Sequence, residues 1–293
     1  MSGRQWSGKT FGNGWMHGRL VSVLRYVPVP VMYAFCAVFI VPATLLSWRE
    51  GRHSSYSFYR QRLGYGRLKA ARMTYANHLS FSKIVIDRFA MYAGRSFNVE
   101  VDGMEEFNAL ASGQDGFLHL SSHIGNYEMA GYSLVSENKV INAVVFSGEK
   151  ESVMKSRGDM FSRTNIKMIA VRGDMGHLFE IDKALNAGDI VSFPSDRHML
   201  GSRTLECSFL GSKALFPQGP FSVATMRSLD VLAVNVMKTG RKKYVAYVTP
   251  LHYDRTLPRK QQMRQLLEAY VAELEKRVRQ YPDQWFNFFD FWK

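Results

Sequence analysis

Between Arg25 and Arg49 the chain carries no charged residue, and the stretch from 26 to 48 is apolar almost throughout, with Tyr26 and Trp48 at its borders. At about 1.5 Å per residue, a helix of that length is roughly long enough to cross the hydrocarbon core of a bilayer. It lies too far from residue 1, and is too long, for the apolar core of a signal peptide. Pro28 and Pro30 suit a helix start and Pro42 would kink one, so a tilted span and a shallow interfacial insertion are both open. The plain alternative is a buried helix of a soluble core, which the basic flanks and aromatic borders disfavour. Residues 56–93 mix apolar and basic positions without proline, and "FSKIVIDRFAMYAG" keeps helical spacing up to Gly94, which predicts a helical N-terminal third.

From residue 97 the pattern changes to short strand-like runs at 96–101, 116–120, 141–146, 166–171, 189–193, 230–237 and 243–249. Between them the spacing predicts helices near 125–136, 151–162, 174–187 and 219–227. That alternation is the rhythm of an α/β protein, a mixed central sheet with helices on both faces. The last helix is the clearest, with Met263, Leu266, Leu267, Tyr270, Val271, Leu274 and Val278 forming one apolar stripe. No repeat, low-complexity segment or linker follows residue 94. The expected organisation is a helical membrane-anchoring region over 1–94 and one α/β domain over 95–293.

Composition sharpens this. With 46% hydrophobic residues in 293, a sizeable core is available. Cys36 and Cys207, far apart in the chain, argue against a disulfide framework and exclude a zinc-type cysteine cluster. The net charge of +13 is uneven: residues 1–80 hold eleven basic residues against the single acid Glu50. Positive charge around an apolar anchor points to an anionic membrane surface as partner, and the absence of a binding module argues against nucleic acid.

Three motif readings fall away on context. Gly3 to Thr10 satisfies GxxxxGK[ST], yet only Met1 and Ser2 precede it, so no strand aims its amides at a phosphate. His119 and His123 share a strand-like stretch, where four residues span about 13 Å, too far for one metal ion. GxSxG is absent, which disfavours serine hydrolase chemistry. What remains is "HLSSHIGNYE". If a strand ends at Ser121-Ser122 and a helix begins near Gly125, His123 lies in the turn on the edge where α/β proteins place their chemistry. Glu128, early in that helix, could hold the imidazole N–H and leave the other nitrogen as a general base. Free amides at the helix start could hold an anion. Bare HxxxxE spacing fits a surface histidine and an unrelated glutamate equally well, and His119 reads as a satisfied core residue.

Several blocks taken in order resemble the bacterial lipid A late acyltransferase family, the lauroyl/myristoyl acyltransferases of the lysophospholipid acyltransferase-like superfamily. They are the apolar segment, "SSHIGNYE", "LNAGDIVSFPSDR", "FLGSKALFPQGPFSVA" and the ending "YPDQWFNFFDFWK". The resemblance implies a membrane-associated enzyme at the cytoplasmic face of a bacterial inner membrane. It would move an acyl chain from an acyl carrier protein or coenzyme A thioester to a hydroxyl or amine of a lipid acceptor, with no metal and no cofactor beyond that co-substrate. His123 would be the general base and Glu128 its orienting partner. Asn126 would organise the turn, and Asp196, Arg197, Gly219 and Pro220 would line the substrate site. A helix cap, a solvated charge and a helix start are the plain readings of those last four. Where the family often carries an arginine after the next strand this chain has Ser147, so Arg172 becomes the candidate for acceptor charge. That departure and both chain ends suggest a divergent branch, and lipid A itself is not assigned as substrate. A general lysophospholipid acyltransferase and a non-catalytic lipid carrier are the rival readings.

Overall fold

A computed structural model describes residues 14–134, 136, 138–146, 165–171, 175–199 and 201–292. The Gly3–Thr10 motif, the helix expected at 151–162, Ser147 and Arg172 lie outside the described residues.

The apolar stretch forms one helix, α2 (Val29–Ser47), after a first helix α1 (Gly14–Tyr26). Pro42 does not break it. Residues Cys36–Ile40 are wound one residue wider, so that the Val41 N–H reaches the Cys36 carbonyl. A widened turn is how a helix absorbs a proline ring that would otherwise clash with the carbonyl four residues back. Next come α3 (Arg49–Ser57) and the long α4 (Arg67–Tyr92). α4 ends as the spacing predicts: Gly94 takes φ +87°, and Arg95 N–H closes the helix end on the Ala90 carbonyl at 2.9 Å.

One side of α4 packs Ile86, Phe89 and Ala90 against Leu24, Val29 and Cys36 of α1 and α2. The other side sends Ile84 against Val236, Tyr244 and Phe286 of the main body. α4 is therefore the layer between the N-terminal helices and the sheet.

The sheet has seven strands in the order β1 (Asn98–Asp102), β9 (Lys243–Pro250), β8 (Val231–Lys238), β2 (Phe117–Ser121), β5 (Ile190–Pro194), β3 (Ile141–Phe146) and β4 (Ile166–Val171). The five strands from β8 to β4 run parallel, and β9 is antiparallel to β8. All five residues of β2 are buried, as a central parallel strand covered on both faces requires. Leu118, Leu120, Val191 and Phe193 meet α7 (Gly176–Asn186), α8 (Gln218–Met226) and α9 (Arg259–Gln280) on one face. On the other, Phe117, Ile190, Leu232 and Val234 meet α5 (Met104–Ala111).

Three elements differ from expectation, the first being α5, where the spacing predicts no helix. No helix starts at Gly125: a single 3₁₀ turn, Tyr127–Met129, leads into the short α6 (Ala130–Ser133). The unforeseen hairpin β6 (Thr204–Phe209) and β7 (Ser212–Pro217) turns on Leu210-Gly211, both at positive φ. That is the geometry two-residue hairpin turns favour, reached without the Asn-Gly or Asp-Gly signal that marks it in sequence.

Candidate active site

After β2 the chain stays extended. Ile124 bridges Trp285 and Gly125 bridges Val236, with Gly125 N–H donating to the Gln284 carbonyl at 2.8 Å and Asn126 N–H to the Val236 carbonyl at 2.7 Å. Gly125 sits at φ +57°, and a Cβ there would fall 2.0 Å from the Val236 oxygen, so only glycine fits. These ties stop the chain from coiling at Gly125. The anion-holding helix start expected there is not formed.

His123 lies in this extended turn, beside the end of β5. Ser195 N–H donates to the Ser121 carbonyl at 2.8 Å, extending the β2–β5 pairing past the strand ends. This brings Asp196 against His123: Nδ1 is 2.7 Å from Asp196 Oδ1, and the His123 backbone N–H donates to Oδ2 at 3.0 Å. Asp196 is fully buried. Burial alone would raise its carboxyl pKa, but the charge of His123, the bond to its ring, the Arg197 guanidinium and the bond from the His123 backbone outweigh it and lower the value. With an ionised carboxylate as partner, Nδ1 carries the hydrogen and donates it.

The carboxylate on Nδ1 is therefore that of Asp196, where the sequence predicts Glu128. Because the turn is extended, Glu128 enters the 3₁₀ turn facing α4. There its Oε1 lies 3.2 Å from Arg88 Nε and its Oε2 accepts from the Tyr92 hydroxyl at 2.7 Å. Arg88 and Tyr92 escape sequence reasoning because both lie inside a helix read only for its apolar spacing.

Behind the site, Tyr270 donates to the Ser121 carbonyl at 3.0 Å and its hydroxyl lies 2.7 Å from that of Ser122. The C-terminal segment straps the turn from below: Phe286 N–H donates to the His123 carbonyl at 3.1 Å, and Arg197 Nη2 donates to the Phe286 carbonyl at 2.6 Å.

A cavity of about 850 Å³ opens at this edge, within the roughly 300–1,000 Å³ of ligand sites. His123, Glu128, Arg197, Gly219 and Pro220 all contribute to its wall. Among the described residues most of the rest are apolar, with Val145, Ile141, Val234, Leu178, Ile181 and Phe193 among them. Asp196 stands behind His123, outside the wall. Asn126 is fully buried beside the Tyr244 hydroxyl and is not among the lining residues, so its place is in the scaffold of the turn.

Room for an apolar chain and a carboxylate-held imidazole share one space, an arrangement suited to an enzyme acting on lipids. The family model described as bacterial lipid A biosynthesis acyltransferase matches residues 89–293, more than half of the chain. The protein belongs to that family, and is an acyltransferase of lipid biosynthesis whose substrates are an acyl donor and a lipid acceptor. No curated protein sequence matches it. Among solved structures, the 1-acyl-sn-glycerophosphate acyltransferase PlsC of Thermotoga maritima is similar at 16% identity, over 93% of this chain and 99% of that one, with a TM-score of 0.38. So loose a superposition has no bearing on the site.

Proposed function

We propose that the protein transfers a fatty acyl group from an acyl carrier protein or coenzyme A thioester to a hydroxyl or amine of a lipid acceptor, with His123 as general base. The observation that carries this reading is the Asp196 carboxylate on His123 Nδ1, at the wall of a largely apolar cavity. Asp196 keeps the hydrogen on Nδ1, so Nε2 takes the acceptor's proton as its oxygen or nitrogen attacks the thioester carbonyl. The tetrahedral intermediate collapses by expelling the thiolate, which recovers that proton from the imidazolium. We assign the oxyanion to Arg197 and to the Gly219 amide in the first turn of α8, where amides lack an intrahelical acceptor. Glu128 acts as a positioning residue, pinning the turn to α4, and Arg172 stays the candidate for acceptor charge. As proposed, the thioester is a co-substrate and no metal or other cofactor takes part.

The proposed setting is the cytoplasmic face of a bacterial inner membrane. Val31, Phe35, Val38, Phe39 and Leu46 leave one face of α2 exposed, while Val29, Cys36 and Val41 are buried on the other. Its inner face is bound to α4: the Tyr33 hydroxyl donates to Asp87, and Tyr75 donates to the Ala37 carbonyl at 2.6 Å. A span across the bilayer would carry the Asp87 contact into hydrocarbon, so this packing favours a helix lying in the interface with its outer face in lipid.

The test is transfer of labelled acyl groups from both thioester types to lipid acceptors in mixed micelles. Wild type is expected to turn over, and His123→Ala to lose about 10²–10⁴-fold in kcat. Unchanged turnover in His123→Ala would remove the general base; no wild-type transfer with any pair would favour a lipid carrier.

A further inference from the structure

The strand next to β2 runs on past the active-site turn. β8 is parallel to β2, and the Gly125–Asn126 turn attaches to it at Val236, so the C-terminal end of β8 leaves the sheet at the edge that holds His123. The tip joining β8 to β9 starts at Thr239, about 10 Å of extended chain beyond that attachment. It carries Arg241, Lys242 and Lys243 in a row, all exposed, and no acidic side chain among the described residues pairs with them. The cations of α9 are by contrast laced with carboxylates, Arg264 with Glu268 and Arg279 with Glu275.

The tip is held in place. Thr239 and Gly240 N–H donate to the Lys243 carbonyl at 3.0 and 3.1 Å, and Asn98 N–H of β1 donates to the Lys242 carbonyl at 2.9 Å. Lys238 Nζ donates to the Arg241 carbonyl at 3.0 Å and meets Asp87 of α4 at 2.5 Å. So fixed, the tip borders α2: Lys238 Nζ and Lys83 Nζ stand 5.4 and 5.8 Å from the centre of the Tyr33 ring, and the Arg241 charge is near enough to act on that tyrosine. Tyr33 is half-buried, and Val31 and Phe35 on either side of it in the chain are exposed. Cations beside an apolar helix face are placed at headgroup level when that face sinks into lipid, and long basic side chains reach the headgroups with their charged ends.

We propose that the β8–β9 tip is a second membrane contact, in which Arg241, Lys242 and Lys243 bind anionic lipid headgroups and turn the His123 edge toward the bilayer. This rests on the interfacial setting of α2 given above. A helix lying in the interface leaves the molecule free to roll about the helix axis. A charged contact away from that axis, at the catalytic edge, removes the freedom and faces the cavity toward its lipid acceptor. An acidic carrier protein would suit the same cations, but the exposed apolar residues beside them point to a membrane.

The test is flotation of the full chain with vesicles of phosphatidylcholine alone and of phosphatidylcholine and phosphatidylglycerol in equal parts, beside acyl transfer on vesicles and in neutral mixed micelles. Wild type is compared with a tip variant, Arg241→Gln with Lys242→Gln and Lys243→Gln. A control removes the same charge at the opposite end of the sheet, where Arg255 pairs with Asp230 just ahead of β8: Arg255→Gln with Arg259→Gln and Lys260→Gln. The tip variant is expected to melt with wild type and to bind anionic vesicles about 10²-fold more weakly, about fivefold for each cation, with a shallower salt dependence. On phosphatidylcholine alone it is expected to match wild type, and the control is expected to lose far less on anionic vesicles. At lipid concentrations that hold it on the vesicle, its kcat is expected to fall severalfold there and to stay at the wild-type value in micelles. Equal losses in the two variants would show net charge alone at work and overturn the proposal, as would unchanged binding of the tip variant. An unaltered kcat on vesicles at full binding would overturn the orienting role. Normal vesicle binding with transfer lost only from the carrier-protein donor would assign the cations to that protein, and the proposal would fall. Wild type that floats with no vesicle would sink the interfacial setting together with the tip contact. The expected flotation with no acyl transfer by wild type would sink acyl transfer and leave the contact standing.

Discussion

A buried carboxylate keeps its charge only when neighbours outbid water, and at Asp196 the neighbours are His123 and Arg197. Asp196→Asn keeps the shape but offers an amide that no longer demands a hydrogen on Nδ1. Acyl transfer is expected to fall about 10²-fold or more in kcat with thermal stability near wild type, checked by steady-state kinetics beside calorimetry. His119 makes a different statement about pH. Its folded pKa of about 4 lies below the ordinary 6.5, so the unfolded chain takes up a proton first as pH falls. Stability is then full above about 6.5 and is lost down to about 4, by up to roughly 3 kcal/mol. Urea unfolding at pH 7 and pH 4.5 is expected to show His119→Leu losing less than wild type over that interval. At this scale the sequence marks out His123, because a strand end with small residues around a histidine is a local pattern. It does not reveal that Asp196, 73 residues further on, would be the partner. The pairing of Glu128 with His123 needed a helix starting near Gly125, and the chain is extended there instead.

Among elements, the C-terminal strap does the most for the site. Trp285 is buried against Phe58, Phe209, Phe291 and Trp292, while its carbonyl and that of Asp283 each accept from Asn77 Nδ2 at 3.0 Å. Trp285→Ala is expected to cost about 3–5 kcal/mol of stability, the range for a large aromatic removed from a core. It is also expected to lower acyl transfer, since Trp285 bridges Ile124 and its neighbours Gln284 and Phe286 bond to Gly125 and His123. Denaturant unfolding and kinetics on the same preparation check both. The aromatic ending is conspicuous in the sequence, but its task is not, because aromatic residues pack wherever a core is open. The strands and the apolar stripe of α9 are legible from periodicity alone. The β6–β7 hairpin is not, since Leu210 at positive φ is held in place by tertiary contacts, including its N–H bond to Glu275 at 2.8 Å.

For the molecule as a whole, α4 joins the exposed apolar helix α2 to the sheet edge that holds His123. Asp87 of α4 meets Lys238 Nζ at 2.5 Å and the hydroxyls of Tyr33 and Tyr244, and the next residue, Arg88, meets Glu128. Arg25 and Arg49 flank the exposed face of α2, and each basic residue near an anionic surface adds about 1 kcal/mol to membrane affinity. Flotation with vesicles is expected to show binding to anionic lipid that weakens with salt. Phe39→Asp is expected to lower it severalfold while Asp87 and its partners keep the fold intact; equal flotation of that variant would show that α2 does not face lipid.

The sequence by itself determined the seven strands of the main sheet, the long helices at either end of the chain, the alternation that makes an α/β protein, the apolar segment and the place of His123 at a strand end. These are properties of neighbouring residues, set by period, run length and turn chemistry. Only the tertiary structure decided that Asp196 holds the imidazole and Glu128 meets α4, that α2 lies against α4 with one face outward, and that His119 lies in the cavity wall. Each of those depends on pairing between segments far apart in the chain, and local pattern carries no information about register across a sheet.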